Sequence, residues 1–300
     1  MDLKGVNQFL RSRGASAWPV PQPSALFRED ISKKLRVNEY VVSYKADGTR
    51  MLVCVCGDEV TAVNKSTLVP DLGAKFPRKC RVDPSRPTIL DAEFVEPRTF
   101  FVFDALAIIG EDVRHLNLDV RREKAQWCID GISSPDKCPY AFEMKPVWPA
   151  SEARSVYEDH KHEADGVIFT PVRHPLRSGT DQTVLKWKPD NTVDFFVRPM
   201  LRMPRNEEEM AHPFPLIPSL FSVYELCVHG DGGARPVAEL ARHRVGDLSV
   251  PGVYEFSWTE SGWKPIRFRG DKKKGNSEWV YERTLRVISE NVSLNEICPQ

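Results

Sequence analysis

The sequence predicts an α+β protein of two domains, in which antiparallel sheets form most of the first domain and short strands form the second. The first observation is a series of β-branched and apolar runs, beginning at Tyr40, that are separated by Gly and Asp turns. The second is the length of 300 residues, which suits one sizeable core and a smaller partner. The third is a change of texture after residue 193, so we place the domains at residues 1–193 and 194–300.

The elements of the first domain follow from local composition. Residues 1–38 predict a helical start, a proline-rich loop at Trp18–Pro23 and a short helix. Two helices, Asp119–Ile129 and Ser151–His160, are expected on the flanks of a sheet. Runs rich in β-branched and aromatic residues predict the strands of that sheet at Tyr40–Tyr44, Met51–Cys56, Val60–Val63, Thr88–Val95, Phe100–Ile109, Gly166–Thr170 and Val184–Lys188.

The second domain is predicted to be a small barrel. Residues 203–219 are rich in proline and glutamate, which indicates a long surface loop. An amphipathic helix is expected at Ser277–Glu290. Between them, glycine-rich turns separate short β-like segments at Phe221–Val228, Arg235–Leu240, Gly252–Trp258 and Lys264–Phe268. A handful of such short strands suits a barrel of the oligonucleotide-binding type.

Charge and composition narrow the classes of partner. The 42 Lys and Arg residues balance 42 Asp and Glu residues, so the formal net charge is zero. Proteins that track along nucleic acid carry a basic excess, so long-range binding to a duplex is disfavoured, whereas binding of a nucleotide or a strand end is not. No apolar run approaches the ~20 residues that span a bilayer, so we expect an intracellular protein with no membrane partner. The cysteines form no C-x-x-C pair, which leaves zinc binding unsupported.

The segment Lys45-Ala46-Asp47-Gly48-Thr49-Arg50 joins two predicted strands and has two interpretations. In one, Asp47-Gly48 is a hairpin turn and Lys45 is a solvated charge at the edge of the sheet. In the other, Lys45 is a nucleophilic amine. Because free lysine titrates near ~10.4, such an amine needs a pKa lowered by desolvation or by a nearby cation such as Arg50. The segment alone leaves both interpretations open.

Further charged segments lie at strand ends. Leu90–Phe94 ends a strand with two carboxylates, and Glu163–Ile168 places two more just before a strand. Lys186 and Lys188 alternate along one strand and therefore share a face. Like charges on one face repel, and a polyphosphate would relieve that repulsion. A last charged segment, Arg267–Lys272, follows the final barrel-like strand.

Taken in order, these segments resemble the motifs of the covalent nucleotidyltransferases, and most closely those of the mRNA capping enzymes. The matching motifs are Lys45–Arg50 (KxDGxR), Asp91–Glu93 (DGE-type), Phe103–Leu106 (FDAL-type), Asp165–Ile168 (DGLI-type), Leu185–Pro189 (LKxKP) and Arg269–Lys272 (RxDK). ATP-dependent ligases share KxDGxR, whereas Trp187-Lys188-Pro189 with Asp194 downstream favours capping enzymes. The resemblance runs from about Pro19 onward. It implies an ATP-grasp-like, ligase-type nucleotidyltransferase domain of antiparallel sheets, followed by an OB-fold β-barrel.

The resemblance implies an enzyme that transfers GMP from GTP to the 5′-diphosphate end of RNA. Lys45 would carry the GMP on its ε-nitrogen as a covalent intermediate. The residues implied in catalysis are Lys45, Arg50, Lys186, Lys188, Arg269, Asp271 and Lys272. The residues implied in nucleotide binding are Asp47, Gly48, Lys65, Glu93, Phe103, Lys145, Asp165, Ile168 and Asp194.

Within these sets the resemblance gives individual roles. They are stacking on guanine for Phe103 and Ile168, ribose contacts for Glu93 and Arg50, contacts to the α-phosphate for Lys186 and Lys188, a contact to the guanine carbonyl for Lys145, and orientation of pyrophosphate for Arg269, Asp271 and Lys272. The chain departs from the family at Ala92, where DGE has glycine, and at Lys65, where many relatives have arginine. Lysine keeps the charge but loses bidentate geometry, which weakens a ribose contact from Lys65.

The resemblance also implies a cofactor and partners. Mg²⁺, for which Mn²⁺ could substitute, would bind through substrate phosphates more than through a protein cage. The expected partners are GTP and the 5′-diphosphate RNA end, with a separate RNA triphosphatase and cap methyltransferase because the two predicted domains leave no length for them. The site of transcription could be nuclear, or viral and cytoplasmic. Two alternatives stay open, an ATP-dependent polynucleotide ligase and a non-catalytic module that binds nucleotides or RNA ends.

Overall fold

The computed structural model describes residues 3–11, 19–36, 38–65, 68–69, 72–74, 83, 85–132, 140–160, 164–217, 219–246 and 248–298. The chain forms two compact units, unit 1 (Met1–Pro189 with Val292–Gln300) and unit 2 (Asp190–Asn291). The sequence-based boundary lies slightly later, after residue 193, and it assigned the C-terminal residues to the second domain. Trp18 and Glu163, which belonged to a predicted loop and a predicted acidic pair, lie outside the described residues.

Unit 1 contains most of the helices and strands. In chain order they are α1 (Leu3–Arg11), β1 (Pro21–Ala25), α2 (Arg28–Asp30, continued by a wider π turn over Ile31–Leu35), β2 (Tyr40–Ala46), β3 (Thr49–Cys56), β4 (Glu59–Val63), β5 (Leu68–Val69), β6 (Thr88–Val95), β7 (Thr99–Ile108), β8 (Glu111–Asp112), α3 (Leu118–Gly131), β9 (Ala141–Met144), β10 (Trp148–Pro149), α4 (Ala153–His160, preceded by a 3₁₀ turn at Ala150–Glu152), β11 (Ala164–Pro171) and β12 (Gly179–Trp187).

Two sheets organise unit 1. One has five strands in the order β1-β12-β11-β2-β10, and the other has seven, ordered β5-β4-β3-β6-β7-β8 with β9 also paired to β7. The described pairs are antiparallel except β1 with β12 and β7 with β9. Along β2, Tyr40, Val42 and Tyr44 are buried in a core that includes Phe169 and Leu185. The alternate residues of β2 therefore face the opposite way, which positions Lys45 for the site described below.

The described residues of unit 2 form one five-stranded sheet and three helices. Its elements are β13 (Thr192–Arg202), α5 (Glu207–Ala211), β14 (Phe221–Gly230), β15 (Gly233–Ala241), α6 (Arg242–Val245), β16 (Gly252–Thr259), β17 (Gly262–Phe268) and α7 (Glu278–Glu290). The five strands follow the order β15-β14-β13-β16-β17 and pair antiparallel throughout. Tyr281, Leu285 and Ile288 of α7 pack against a core that includes Phe195 and Phe256.

The predicted closed barrel is not found. In the part of unit 2 that the structure describes, the edge strands β15 and β17 do not pair with each other, so the sheet stays open. Exposed residues such as Arg235 on β15 and Lys264 on β17 suit edges that face water. The coarser prediction, an α+β chain whose first domain is built of antiparallel sheets and is followed by a C-terminal domain, is confirmed.

Each predicted strand overlaps a strand of the structure, and the three long predicted helices correspond to α3, α4 and α7. The proline-rich segment was predicted as a loop, but Pro21 and Pro23 belong to β1, an edge strand whose missing N–H groups are tolerated. The predicted loop at 203–219 contains α5, which Asn206 caps by accepting a hydrogen bond from the Glu209 N–H at 2.9 Å. No described helix is both long enough and apolar enough to cross a membrane.

A short helix missed by the sequence analysis, α8 (Leu294–Ile297), belongs to unit 1. Ser293 and Glu296 cap it reciprocally, as in a capping box. Glu296 also pairs with Arg28 at 2.8 Å, and the Val292 carbonyl accepts a hydrogen bond from Trp187 Nε1 at 2.7 Å. These contacts tie the segment after α7 to the body that carries the candidate site.

Candidate active site

A cavity of about 310 Å³ in unit 1 is lined by both of its sheets. The five-stranded sheet contributes Ser43, Lys45, Ile168 and Lys186. Ile168 pairs with Ser43 on β2 and with Lys186 on β12, so these side chains share one face of three neighbouring strands. Lys186 therefore lies in the same cavity as Lys45.

Lys45 lies near the end of β2 and faces a carboxylate. Its Nζ is 2.8 Å from Oδ1 of Asp165, and Nζ of Lys188 donates to Oδ2 of the same carboxylate. Burial would raise the pKa of Asp165, but the two ammonium groups outweigh it and hold the pKa below its ordinary value. Asp165 is thus an ionised bridge that fixes Lys45 beside Lys188.

Two glycines of the motif segments are required by close backbone approach. A Cβ on Gly48 would lie 2.5 Å from the carbonyl oxygen of Phe94. Gly166 has φ +152°, and a Cβ there would lie 2.1 Å from the carbonyl oxygen of Trp187. β2 and β3 belong to different sheets, so the hairpin that one interpretation of the segment expected is not found, and Asp47-Gly48 is the bend at which the chain passes from one sheet to the other. The absence of a side chain at Gly48 and at Gly166 allows these close backbone contacts next to Lys45 and Asp165.

Arg50, on β3, is held by a buried carboxylate that the sequence analysis did not assign to the site. Its Nε and Nη2 donate to Oδ1 and Oδ2 of Asp91 at 2.9 and 2.5 Å, and its Nη1 donates to the Pro21 carbonyl. This fork geometry matches a planar guanidinium to a carboxylate. Arg50 is thus fixed in the cavity wall, directly paired with Glu93 in strand register.

Aromatic rings and a buried lysine form another part of the wall. Nζ of Lys145 lies 4.8 Å from the ring centroid of Tyr44 and 5.9 Å from that of Phe103, and the guanidinium of Arg50 lies 5.3 Å from the Phe103 ring. Burial lowers the pKa of Lys145 to about 8, against the opposing effect of Glu93. Burial likewise raises the pKa of Glu93, while the nearby lysines lower it. An apolar ring beside cations suits a planar polar ligand.

The structure adds two arginines of α3 that the sequence analysis missed. Arg121 forms a buried bidentate pair with Asp104, at 2.7 and 2.8 Å. Arg122 donates to the backbone carbonyls of Phe103 at 3.0 Å and Lys145 at 2.6 Å, which fixes both residues in the wall. The sequence signal was a pair of arginines within the predicted helix, but their partners depend on tertiary contacts.

A second cluster of predicted residues lies within unit 2. Nη1 of Arg269 is 3.1 Å from Oδ1 of Asp194, Nζ of Lys272 donates to Oδ2 of Asp194, and Arg269 also forks onto Asp271 at 2.9 and 2.8 Å. Hydrogen bonds from Arg269 lower the pKa of Asp271 to about 2. Asp194 is buried and holds two cations, Arg269 and Lys272, in one place.

Most predicted site residues thus fall in one of two places. Those that line the cavity of unit 1 are Lys45, Arg50, Glu93, Phe103, Lys145, Ile168 and Lys186. Asp165 forms ion pairs with both Lys45 and Lys188, and Asp47 and Gly48 lie in the bend between β2 and β3. Lys65 is exposed after β4 and is not part of the cavity lining.

Comparison with known families identifies the chain. Residues 3–190 match the model of the mRNA capping enzyme catalytic domain, and residues 190–298 match the model of the mRNA capping enzyme C-terminal domain. The chain belongs to the mRNA capping enzyme family. The resemblance read from the motifs is confirmed, and with it the enzyme class, a nucleotidyltransferase of the capping reaction.

Individual relatives of this capping enzyme cover most of it. It is 30% identical to an mRNA-capping enzyme subunit alpha of Schizosaccharomyces pombe, over 93% of this chain and 79% of the relative. It is 25% identical to the corresponding protein of Candida glabrata, over 94% of this chain and 80% of the relative. Among solved structures, a mycobacterial DNA ligase D complexed with ATP and MES matches with a TM-score of 0.47 and 14% identity, covering 85% of this chain and 95% of the ligase chain.

The carboxylates of this capping enzyme are arranged to hold cationic side chains. The described residues contain no group of three or more His, Cys, Asp or Glu that could cage a metal ion. Asp91, Asp104 and Asp165 are each occupied by an arginine or by lysines. These residues fit a divalent ion that is coordinated mainly by the phosphates of a nucleotide and by one protein carboxylate at most.

Proposed function

We propose that the chain is a GTP:RNA guanylyltransferase in which Lys45 forms a covalent bond to GMP. The observation that carries the proposal is the placement of Nζ of Lys45 in the cavity, 2.8 Å from Asp165 and on the same wall as Lys186. Nζ attacks the α-phosphorus of GTP, and the bond from that phosphorus to the β-phosphate oxygen breaks as pyrophosphate leaves. The proton that the Lys45 ammonium must lose first has Asp165 as its nearest acceptor.

In the second step the RNA completes the transfer. A terminal oxygen of the 5′-diphosphate end attacks the same phosphorus, the N–P bond breaks, and Lys45 regains its proton. Lys186 and Lys188 act as cations beside the α-phosphate in both steps, where they stabilise the charge on the transferring group. Mg²⁺ or Mn²⁺ carried by the nucleotide phosphates would add neutralisation of the leaving pyrophosphate.

The rest of the cavity serves nucleotide recognition in this proposal. Phe103 offers a ring to the guanine, with Ile168 on the other face, and buried Lys145 offers a donor to the guanine carbonyl. Glu93 accepts from the ribose hydroxyls, and Arg50, held by Asp91, lies beside it. Lys65, which is exposed and outside the cavity lining, is left with at most a minor ribose contact.

For unit 2 we propose that Arg269 and Lys272 bind the outgoing pyrophosphate. Asp271 and Asp194 then act as positioning residues, because their oxygens already accept from those two cations. We also propose that unit 2 is of the OB type. Five antiparallel strands with a helix over their core support that proposal, although the sheet is open in the described residues.

The wider setting is proposed as well. We propose that removal of the RNA γ-phosphate and methylation of the cap are carried out by separate proteins. The reaction would take place inside the cell, at a nuclear or a viral or cytoplasmic site of transcription.

Covalent labelling tests the function directly. We expect the protein, incubated with Mg²⁺ and α-labelled GTP and then denatured, to retain label, and Lys45→Ala to retain none. Lys264→Ala, at an exposed position on β17 with no assigned role, should retain label and serves as the matched lysine control. Label from ATP and not from GTP would make the chain a ligase-like enzyme. Binding of GTP with no covalent label would make it a non-catalytic binding module.

A further inference from the structure

The basic run Lys272-Lys273-Lys274 contains two lysines that have no role in the proposed chemistry. Only Lys272 contacts Asp194. Lys273 is exposed and has no ion-pair partner among the residues that the structure describes, and Lys274 is exposed with its Nζ 3.2 Å from Nε2 of His229. Two cations are therefore available to a ligand immediately beside the proposed pyrophosphate contact.

The loop that carries these lysines is fixed on the sheet. A Cβ on Gly275 would lie 2.7 Å from both the Cys227 carbonyl oxygen and the Phe196 nitrogen, so the loop backbone lies directly against β13 and β14. Asn276 donates its N–H to the Asp194 carbonyl at 2.6 Å and accepts from the His229 N–H at 2.8 Å. The lysines and the start of α7 are thus held in a constant relation to Asp194.

The helix that follows presents an aromatic ring with a cation on it. Trp279 is 54% exposed, and the guanidinium of Arg283 lies 4.8 Å from its ring centroid. Trp279 and Arg283 are four residues apart on α7, so they share a face. That face is opposite the one whose Tyr281 and Leu285 enter the core. The ring is therefore not needed to hold α7 on the sheet.

We propose that Lys273, Lys274, Trp279 and Arg283, together named the α7 surface, bind the RNA chain behind its 5′ end. Cations that follow a phosphate backbone beside an exposed aromatic and an arginine plane are the features by which proteins hold single-stranded nucleic acid. The surface continues from Lys272, so phosphates behind the reacting end meet Lys273 and Lys274, and a base stacks on Trp279. The inference rests on the proposed function for its direction along the RNA, but not for the binding itself.

The α7 surface predicts a dependence on RNA length. With preformed enzyme–GMP, we expect a 5′-diphosphate RNA of twenty nucleotides to have a lower KM than a 5′-diphosphate dinucleotide. Trp279→Ala should raise the KM for the longer RNA about 5- to 30-fold, the loss of one stacked base, and leave the dinucleotide unchanged. Trp279→Phe should keep the KM for the longer RNA close to that of the parent protein. Lys273→Ala should reduce the slope of log KM against log salt for the longer RNA by about 0.7, the value for one phosphate contact.

Controls separate this inference from the proposed function. Label transfer from GTP to Lys45 should be the same in Trp279→Ala and the parent protein. Trp258→Ala removes another half-exposed tryptophan of unit 2 and should leave the KM for both RNAs unchanged. If the parent protein forms no adduct, anisotropy of a labelled RNA of twenty nucleotides still tests the surface, with weaker binding expected for Trp279→Ala. An equal effect on both RNA lengths, or equal RNA binding by Trp279→Ala, would overturn the proposal.

Discussion

Arg50 of the unit 1 cavity and Arg269 of the unit 2 cluster each donate two hydrogen bonds to one carboxylate, and these two carboxylates lie in very different surroundings. In the cavity, the Asp91 side chain that holds Arg50 is 0% exposed. In unit 2, Arg269 forks onto Asp271, whose side chain is 62% exposed. Both pairs have bidentate geometry, so the difference lies in the solvent and not in the hydrogen bonds.

This difference in burial separates ion pairs that fix the geometry of a site from ion pairs that a ligand can replace. A buried pair keeps a strict geometry because removing one partner leaves an uncompensated charge without water. An exposed pair is screened and can exchange its carboxylate for another anion. Arg50 is therefore a fixed part of the cavity wall, while Arg269 is suited to pass from Asp271 to the phosphates of a ligand.

Breaking the buried pair of Arg50 and Asp91 should have the largest effect, a loss of folding stability. Asp91→Asn leaves the Arg50 guanidinium buried with a backbone carbonyl and no carboxylate, and we expect it to lower the free energy of unfolding by about 3–5 kcal/mol. Urea denaturation followed by tryptophan fluorescence measures the change. The double variant Arg50→Met with Asp91→Leu, which removes both charges, should regain much of that loss.

The matched change in unit 2 is Asp271→Asn. It removes a carboxylate from an arginine pair of the same geometry but in water, and we expect no measurable shift in the urea midpoint. Equal losses for the two variants would mean that burial does not distinguish the two regions, and the comparison would then fail.

The ordered motifs predicted most of the site through the family that they resemble. That resemblance placed Lys45, Ile168 and Lys186 at one nucleotide site, and these three residues line one cavity. The pairing of Arg50 with Asp91 could not be predicted in this way. It depends on the register of β3 with β6, which separates the two residues by 41 positions in the chain.

Other features depend on packing that no local pattern reports. Arg122, which lies on α3, donates to two backbone carbonyls outside that helix. An arginine on the same helix face without these partners would give the same sequence pattern. The open edges of the unit 2 sheet follow from which strands find partners, and five short strands suit an open sheet as well as a barrel. The chain after α7 returns to unit 1 through Val292 and Glu296, contacts between residues far apart in sequence.

A titration tests how strongly the cavity disfavours the charged form of Lys145. The pKa of Lys145 is lowered by burial from 10.5 to about 8, so between these values the unfolded chain binds a proton that the folded chain does not. Stability should therefore rise with pH across this window relative to Lys145→Met, by up to about 3 kcal/mol. Urea midpoints of the nucleotide-free proteins from pH 7.5 to 10.5 give the difference curve.

The sign of that curve is the decisive feature. Lys145→Met should be more stable than the parent protein at pH 7.5 and lose this advantage as the pH rises. Lys264→Met, at an exposed position on β17, is the control and should follow the parent protein at every pH. A flat difference for Lys145→Met would mean that the cavity does not oppose the charge of Lys145.

The smallest effect on the reaction itself is expected where unit 2 positions its cations. Asp194→Asn weakens the contacts to Lys272 and Arg269, while the hydrogen bonds that the backbone of residue 194 makes with Asn276 remain. We expect labelling of Lys45 by GTP to slow about 3- to 10-fold, about 1 kcal/mol, and the KM for pyrophosphate in the reverse reaction to rise. Transfer of GMP from preformed adduct to RNA should keep its rate, because no pyrophosphate takes part in that step. A loss shared equally by the two steps would assign Asp194 to the fold of unit 2, and a loss confined to the RNA step would remove Arg269 and Lys272 from the pyrophosphate site.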